Sequence, residues 1–259
     1  MTDRKQVLFG LDGAEDRNFM SAMCDKADRA EKTHSGVYTK FLAPREQNMI
    51  SERMGRFTDI CLYGGYDGSE RNIVCFYQKD DFWEEFDFPV RVLKIMPTNK
   101  KHYSHRDYLG SVLSLGIKRE MIGDIAVDGE YAYVFCHSEI ADYIIYNMEK
   151  MAHARVNILE CSPGEIEIAK KATKEKDATV SSMRLDCVIS AALNMSRGNS
   201  LDAVKKGLVN LNYEQIESPS QEVSDGDIIS VRGSGKFEVH TDGTLTKKGR
   251  CHIHIIQYI

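Results

Sequence analysis

Between Asp12 and Lys32 the apolar residues Phe19, Met20, Met23, Ala27 and Ala30 recur at three- and four-residue spacings. That period predicts a helix with one buried stripe. After the turn residues His34-Ser35-Gly36 comes VYTKFLAPREQNMISERMGRF, where Pro44 separates two predicted helical stretches, so residues 1–56 read as a helical N-terminal region. From Thr58 the pattern changes to short apolar runs split by Gly and polar turns: DICLYGGYDG, NIVCFYQ, VRVLKIMP, DIAVDGEYAYVFC and RVNILECS. These predict strands. Helical patterns interrupt them at 105–117 and at 138–151, the second opening on Ser138 as N-cap. Two strands, a third, a helix, a strand pair, a helix and a strand make an α+β plait with its helices on one face, predicted over 57–165. RNA-binding domains often use this RRM-like arrangement.

Residues 166–179 lie in a highly charged stretch, PGEIEIAKKATKEKDAT, and are predicted as a linker before a last domain at 180–259. That domain opens with two short helices. Leu185, Val188, Ile189 and Ala192 form the apolar stripe of the first; Ser196 starts the second, whose buried side is Ala203, Val204 and Leu208, with Gly207 as its C′ residue. LVNLNYEQI, DGDIISVRGSGKFEVH and RCHIHIIQYI follow as strands, and the whole chain is predicted α+β.

Composition narrows the function classes. The chain has 259 residues, 42% hydrophobic and 28% charged, enough for two domains or three small ones. There is no run of about 18 apolar residues, and the start lacks the apolar core of a secretory signal, so a cytoplasmic protein without membrane contact is expected. Seven scattered cysteines without a CxxC pair read as reduced thiols. A formal charge of −5 excludes a protein that coats nucleic acid by bulk attraction. Any such site must be a local patch.

Two patches stand out. Arg197 beside Ser196 at a helix start can hold a phosphate, Lys205 and Lys206 can extend the contact, and Arg184 is a further cation that Asp186 can orient. The alternative for both arginines is a salt bridge with Asp186 or Asp202. From Lys94 to Arg119 there are six Lys or Arg against one acid, Asp107, with Tyr103 and Tyr108 between the cations. Lys100, Lys101, His105, Arg106, Lys118 and Arg119 are therefore candidates for a second RNA surface, with a solvated face as the alternative. The preceding DDFWEEFD is acidic, and Phe82 and Phe86 at four-residue spacing predict a short packed helix.

RGSGKF at 232–237 lacks the GxxxxGK[ST] pattern and reads as a turn between strands, with Arg232 and Lys236 able to touch RNA. GGYDG at 64–68 reads as a hairpin turn. In a strand, Cys251 points away from His252 and His254, and no second ligand pair is spaced for a metal. No metal, cofactor or catalytic constellation is predicted.

The elements RLD at 184–186, SR at 196–197, AVKKGLV at 203–209 and P-S-x-x-V-x-x-G-D-x-I-S-V-R-G-x-G at 219–235 resemble the S4-like RNA-binding domain; Tyr213 stands where many such domains have Gly after an Asn. Together with FLAPREQ (41–47), HRDYLGSVLSLGIKREMIGDI (105–125) and RGSGKF, the chain resembles the YlmH family over nearly its whole length. That resemblance implies a helical N-terminus, an RNA-recognition-like middle and an S4-like C-terminus. It also implies binding to large-subunit rRNA and peptidyl-tRNA during rescue of stalled nascent chains, with other rescue factors as partners, and an older association with cell division. Carried over, the RNA contacts fall on Arg184, Arg197, Lys205 and Lys206. The competing readings are an RNA-modifying or tRNA-acting enzyme anchored by the S4-like domain, against which stands the lack of synthetase signatures, and a cell-division adaptor.

Overall fold

The computed structural model describes residues 3–78, 86–99, 101–162, 166, 168, 173–246 and 249–258. The chain divides into two compact units, Met1–Ile168 and Ala169–Ile259.

The first unit begins with α1 (Arg4–Leu8), α2 (Ala14–Thr33), β1 (Val37–Leu42), α3 (Pro44–Met54), β2 (Asp59–Tyr63) and β3 (Asn72–Tyr77). The predicted stripe of α2 is the one that is buried: Met20, Met23, Cys24, Ala27 and Ala30 pack with Ile50, Met54, Val74 and Phe76. Pro44 opens α3, where its missing N–H costs nothing. The expectation of a helical region over 1–56 is corrected by β1. Val37, Tyr38, Thr39 and Phe41 are strand formers, and β1 pairs antiparallel with β3 in a sheet of order β1-β3-β2. The register breaks between Tyr38 and Phe41, and there the Val74 N–H donates to Thr39 Oγ1 at 2.9 Å, so a side chain satisfies the donor that the ladder leaves. Pairing with β1 also moves β2 and β3 out of the domain expected to start at residue 57.

The plait proper comprises β4 (Val90–Pro97), α4 (His105–Leu113), a 3-10 turn (Arg119–Met121), β5 (Ile122–Asp128), β6 (Tyr131–His137), α5 (Ser138–Asn147), β7 (Lys150–Met151) and β8 (Ala154–Cys161). Its antiparallel sheet runs β5-β6-β4-β8-β7, the order of a split βαβ unit. Val112, Ala141 and Ile144 from the helices cover Leu93, Ile95, Ala132 and Val134 on one face. The N-cap of α5 is His137 rather than Ser138; its Nδ1 accepts from the Glu139 N–H at 3.3 Å.

Asp124 joins the two sheets of this unit. Its carboxylate accepts from Tyr66 Oη at 2.8 Å, from the Glu70 N–H at 2.7 Å and from the Arg71 N–H at 3.1 Å. Arg71 reaches back to the carbonyls of Ile122 (3.1 Å) and Phe41 (3.0 Å).

The second unit contains β9 (Thr173–Val180), α6 (Leu185–Ala192), α7 (Arg197–Lys205), β10 (Val209–Leu211), β11 (Glu214–Gln215), β12 (Asp227–Val231), β13 (Gly235–His240) and β14 (Cys251–Tyr258). Its antiparallel sheet has the order β11-β10-β12-β13-β14-β9, with both helices packed on one face. Here the predicted linker 166–179 is corrected. Residues 173–179 form most of β9, paired with β14 from Thr173 opposite Tyr258 to Val180 opposite Cys251. Residues 167 and 169–172 of that stretch lie outside the described residues. β9 carries no apolar run because it is an edge strand, and charges on an edge deter pairing with other chains. Lys176 also closes the end of α6, donating to the Ala191 carbonyl at 2.8 Å and to Asn194 Oδ1 at 2.5 Å.

Among the described residues no helix is long and apolar enough to cross a membrane.

Candidate nucleic-acid interface

The start of α6 is braced from the motif at 219–223. Pro219 and Gln221 carbonyls accept from the N–H groups of Asp186 (3.2 Å) and Leu185 (2.8 Å), and the Val223 N–H donates to Met183. This fixes Arg184 at the N-cap, with Asp186 one turn-step inside, buried to 3% of its side chain. The Arg184 guanidinium donates to both Asp186 oxygens, Nε to Oδ1 at 3.0 Å and Nη2 to Oδ2 at 3.3 Å. Arg197 comes from the first turn of α7: its Nη2 lies 3.9 Å from Asp186 Oδ2 and donates to Cys187 Sγ at 3.0 Å. Burial pushes the Asp186 carboxyl up, but the Arg184 hydrogen bond and the Arg184 and Arg197 charges outweigh it and hold it below the usual range. One buried anion thus holds two guanidiniums whose side chains stay 43% and 64% exposed. The salt-bridge alternative is therefore met at Asp186 rather than Asp202, and both arginines remain exposed.

Ser196 is the N-cap of α7 and accepts from the Asn199 N–H at 3.2 Å. The buried Ser200 hydroxyl donates to the Asp186 and Arg197 carbonyls, locking α7 against α6. Lys205 and Lys206 are exposed in the last turn of α7, about 12 Å of helix rise from Arg197. Gly207 follows at φ +65°. Arg232 lies beside this end, because its N–H donates to the Leu208 carbonyl at 2.8 Å. RGSGKF is a strand-to-strand turn, as predicted, between β12 and β13. Lys236 is elsewhere: Phe237 and Val239 face the helices, so Lys236 lies on the opposite face of the sheet, its Nζ 4.9 Å from the Tyr213 ring centre and 5.4 Å from that of Tyr258.

The run 94–119 is not one surface. Ser104 and Asp107 form the capping box of α4, with Lys101, His105 and Arg106 exposed around that end. Lys118 is exposed past the other end. Arg119 is turned inward, donating to the Gly123 carbonyl at 3.3 Å and to that of Ile122; burial and the nearby Arg71 charge push its guanidinium down to about 10. Lys100 lies outside the described residues. Tyr103 and Tyr108, expected to stack bases between the cations, are core residues 8% and 0% exposed. Their sequence neighbours are charged, but the α4 stripe turns Tyr108 inward and Tyr103, in the loop before α4, packs into the same core with its hydroxyl accepting from Asn99 Nδ2 at 2.9 Å. Among the described residues the exposed tyrosines of the plait are Tyr143 and Tyr146 on α5; the reading of the cation run also overlooked Tyr131 and Tyr133 on β6, which are partly buried on the outer face of the sheet. The alternation YAYVFC carried that signal, since its period of two puts Tyr131 and Tyr133 on the face opposite Ala132 and Val134.

The predicted helix around Phe82 and Trp83 lies outside the described residues; Phe86 packs edge to face with Tyr77, ring centres 4.8 Å apart. Cys251 packs against the core of the second unit. His254, on the other face, pairs with Asp177 at 2.9 Å. Among the described residues no three His, Cys, Asp or Glu side chains are grouped to hold a metal ion.

Comparison with known proteins adds two levels of likeness. Residues 15–80 match the family profile "YlmH, N-terminal" and residues 84–165 the profile "Putative RNA-binding domain in YlmH". Over 241 residues, 92% of this chain and 94% of the relative, the sequence is 28% identical to "Ribosome-associated protein quality control protein P2" of Bacillus subtilis (strain 168). The fold is similar to the solved structure "Cell division protein ylmH from Streptococcus pneumoniae", with a TM-score of 0.52 and 24% identity, covering 59% of this chain and 94% of that one. With two successive YlmH profiles spanning more than half of its length and a relative aligned along nearly all of it, the chain belongs to the YlmH family.

Proposed function

We propose that this protein is a ribosome-associated RNA-binding factor without catalytic chemistry of its own. In this reading its second unit is an S4-like module that docks on the large subunit, against rRNA and peptidyl-tRNA, in the rescue of stalled nascent chains. The observation that carries the reading is the cluster in which buried Asp186 orients two exposed arginines. Guanidiniums held in place before contact lose less freedom on binding, and their planar forks match phosphate oxygens. Lys205, Lys206 and Arg232 offer further cations at the far end of α7. Support comes from the Bacillus relative, a ribosome-associated quality control protein by name, and from the match of residues 84–165 to a putative RNA-binding domain. A net charge of −5 fits a factor whose cations are local, because acids elsewhere discourage indiscriminate binding. The role is cytoplasmic and has no membrane partner.

The test is co-sedimentation of the full chain with large subunits, with and without peptidyl-tRNA, comparing wild type with Arg184→Ala/Arg197→Ala. Binding lost in the double variant at unchanged melting supports the reading. A wild type that sediments with subunits in neither state overturns it and leaves a free-tRNA enzyme or a division adaptor.

A further inference from the structure

The outer face of the plait sheet, opposite α4 and α5, is covered over only part of its area. Alternation puts Val92, Lys94 and Met96 of β4, Tyr131, Tyr133 and Phe135 of β6, and Asn157, Leu159 and Cys161 of β8 on this face, because their neighbours Leu93, Ile95, Ala132, Val134 and Ile158 belong to the helix-side core. The row of Val92, Phe135 and Cys161 is closed: Val92 and Phe135 are fully buried, and the Tyr66 ring sits 4.9 Å from that of Phe135. The next row, Leu159, Lys94 and Tyr133, is not. Leu159 is 56% exposed, and the Lys94 ammonium lies 3.7 Å over the Tyr131 ring and 5.5 Å from that of Tyr133.

Cations border the open row, with the acids Asp128 and Glu130 confined to the β5–β6 turn. Arg155, two residues before Asn157 on β8, is exposed on the same face. His102 Nδ1 lies 3.0 Å from the Gly129 carbonyl, which brings Lys101 and His102 to the β5–β6 turn at the Tyr131 end. Asp128, paired with Tyr131 across the strands, accepts from its hydroxyl at 2.5 Å.

We propose that this open half of the sheet is a platform for an unpaired RNA base, stacked on the Tyr131–Tyr133 pair, with Lys94 and Arg155 against the phosphates and the Asn157 amide able to meet a base edge. The two rings meet edge to face with their centres 5.4 Å apart, so together they offer one aromatic surface to one base. Single strands suit the site better than duplex, whose stacked bases hide their faces. A protein partner fits less well: an interface centre is normally depleted of charge, and the centre here is an ammonium over a phenol ring. The platform rests on the RNA-binding reading but not on the arginines of the second unit.

Its test is titration of a fluorescein-labelled single-stranded uridine decamer, and of a duplex of equal length, followed by anisotropy. The protein is full-length and carries Arg184→Ala/Arg197→Ala so that the second unit contributes little. Adding Tyr131→Leu/Tyr133→Leu keeps the rows apolar and removes the aromatic faces. Loss of one stacked base is worth about 1–3 kcal/mol, so single-strand affinity should fall about tenfold or more at unchanged salt slope. Lys94→Gln should instead flatten the slope. Unchanged affinity in the leucine variant at wild-type melting, no decamer binding before that change, or duplex binding as tight as single strand each overturn the platform. If the leucine variant does not fold, cross-linking of 5-bromouridine RNA to the wild-type protein decides. Adducts at 131–133 support the platform, and adducts confined to other residues overturn it. Co-sedimentation of the wild type keeps the two readings separable, since it can succeed while the decamer fails.

Discussion

The Arg184 guanidinium grips the Asp186 carboxylate through two parallel hydrogen bonds, at 3.0 and 3.3 Å, while remaining half open to solvent. The carboxylate is a positioning group, and its loss should be felt in RNA affinity as well as in stability. Asp186→Asn is expected to cost about 1.5–3 kcal/mol in chemical denaturation, the range for a hydrogen bond to a charged group. RNA affinity should fall although no cation has been removed. An affinity equal to wild type would show that the arginines need no such orientation.

The same pair fixes a pH dependence. The folded-state pKa of Asp186 is depressed, so its contribution is complete above the unfolded value of about 3.9 and is lost as pH falls through the lower folded value. The stability difference between wild type and Asp186→Asn should therefore be constant near neutrality and shrink below about pH 4. Urea midpoints across that range check the sign.

At the β10–β11 turn, Asn212 and Tyr213 have φ of 49° and 70°. Asn tolerates this; a tyrosine does so at a cost of about 1–2 kcal/mol. Asn212 is anchored to β12, with its N–H on the Ile228 carbonyl and its side chain on Asp227 and the Ile228 N–H, so the turn cannot relax. Tyr213→Gly and Tyr213→Ala both remove the ring beside Lys236, but only Gly removes the strain. The Gly variant should be more stable than the Ala variant by about 1 kcal/mol. Equal melting would refute a strained turn.

Where the two sheets of the first unit meet, a Cβ on Gly123 would come within 2.6 Å of the buried Phe41 ring. Gly123→Ala is expected to destabilise the first unit by about 1–3 kcal/mol through overpacking, visible as a lowered melting transition.

Lys176→Met keeps the aliphatic stem and removes the ammonium that holds the Ala191 carbonyl and Asn194. A loss of about 1–2 kcal/mol is expected for that interaction at a helix C-terminus. Denaturation monitored by circular dichroism measures it.

How much was legible in the sequence depended on whether one face of an element was wet. The stripes of α2 and α6 stood out because their burial is one-sided and periodic. β1 hid in a run read as helical because its ladder is broken at Thr39, whose hydroxyl does a backbone group's work. β9 hid because an edge strand made of Lys, Glu, Asp and Thr has almost no apolar signal; only Ala178 and Val180 face the core. The arginine cluster was readable from motif order. The plait tyrosines were misassigned because adjacency to lysines says nothing about the face a ring turns to.

Asp124 gathers three donors from the β2–β3 connection, and Gly65 there leaves no room for even a methyl group against Phe135. The plait is therefore not a separable module. A fragment beginning at Val90 would bare Val92 and Phe135 and leave the Asp124 carboxylate without those donors, so the edge of the tyrosine platform is built by residues that precede the plait in the chain. Evolution cannot shuffle this sheet as an independent cassette without carrying the first eighty residues along with it.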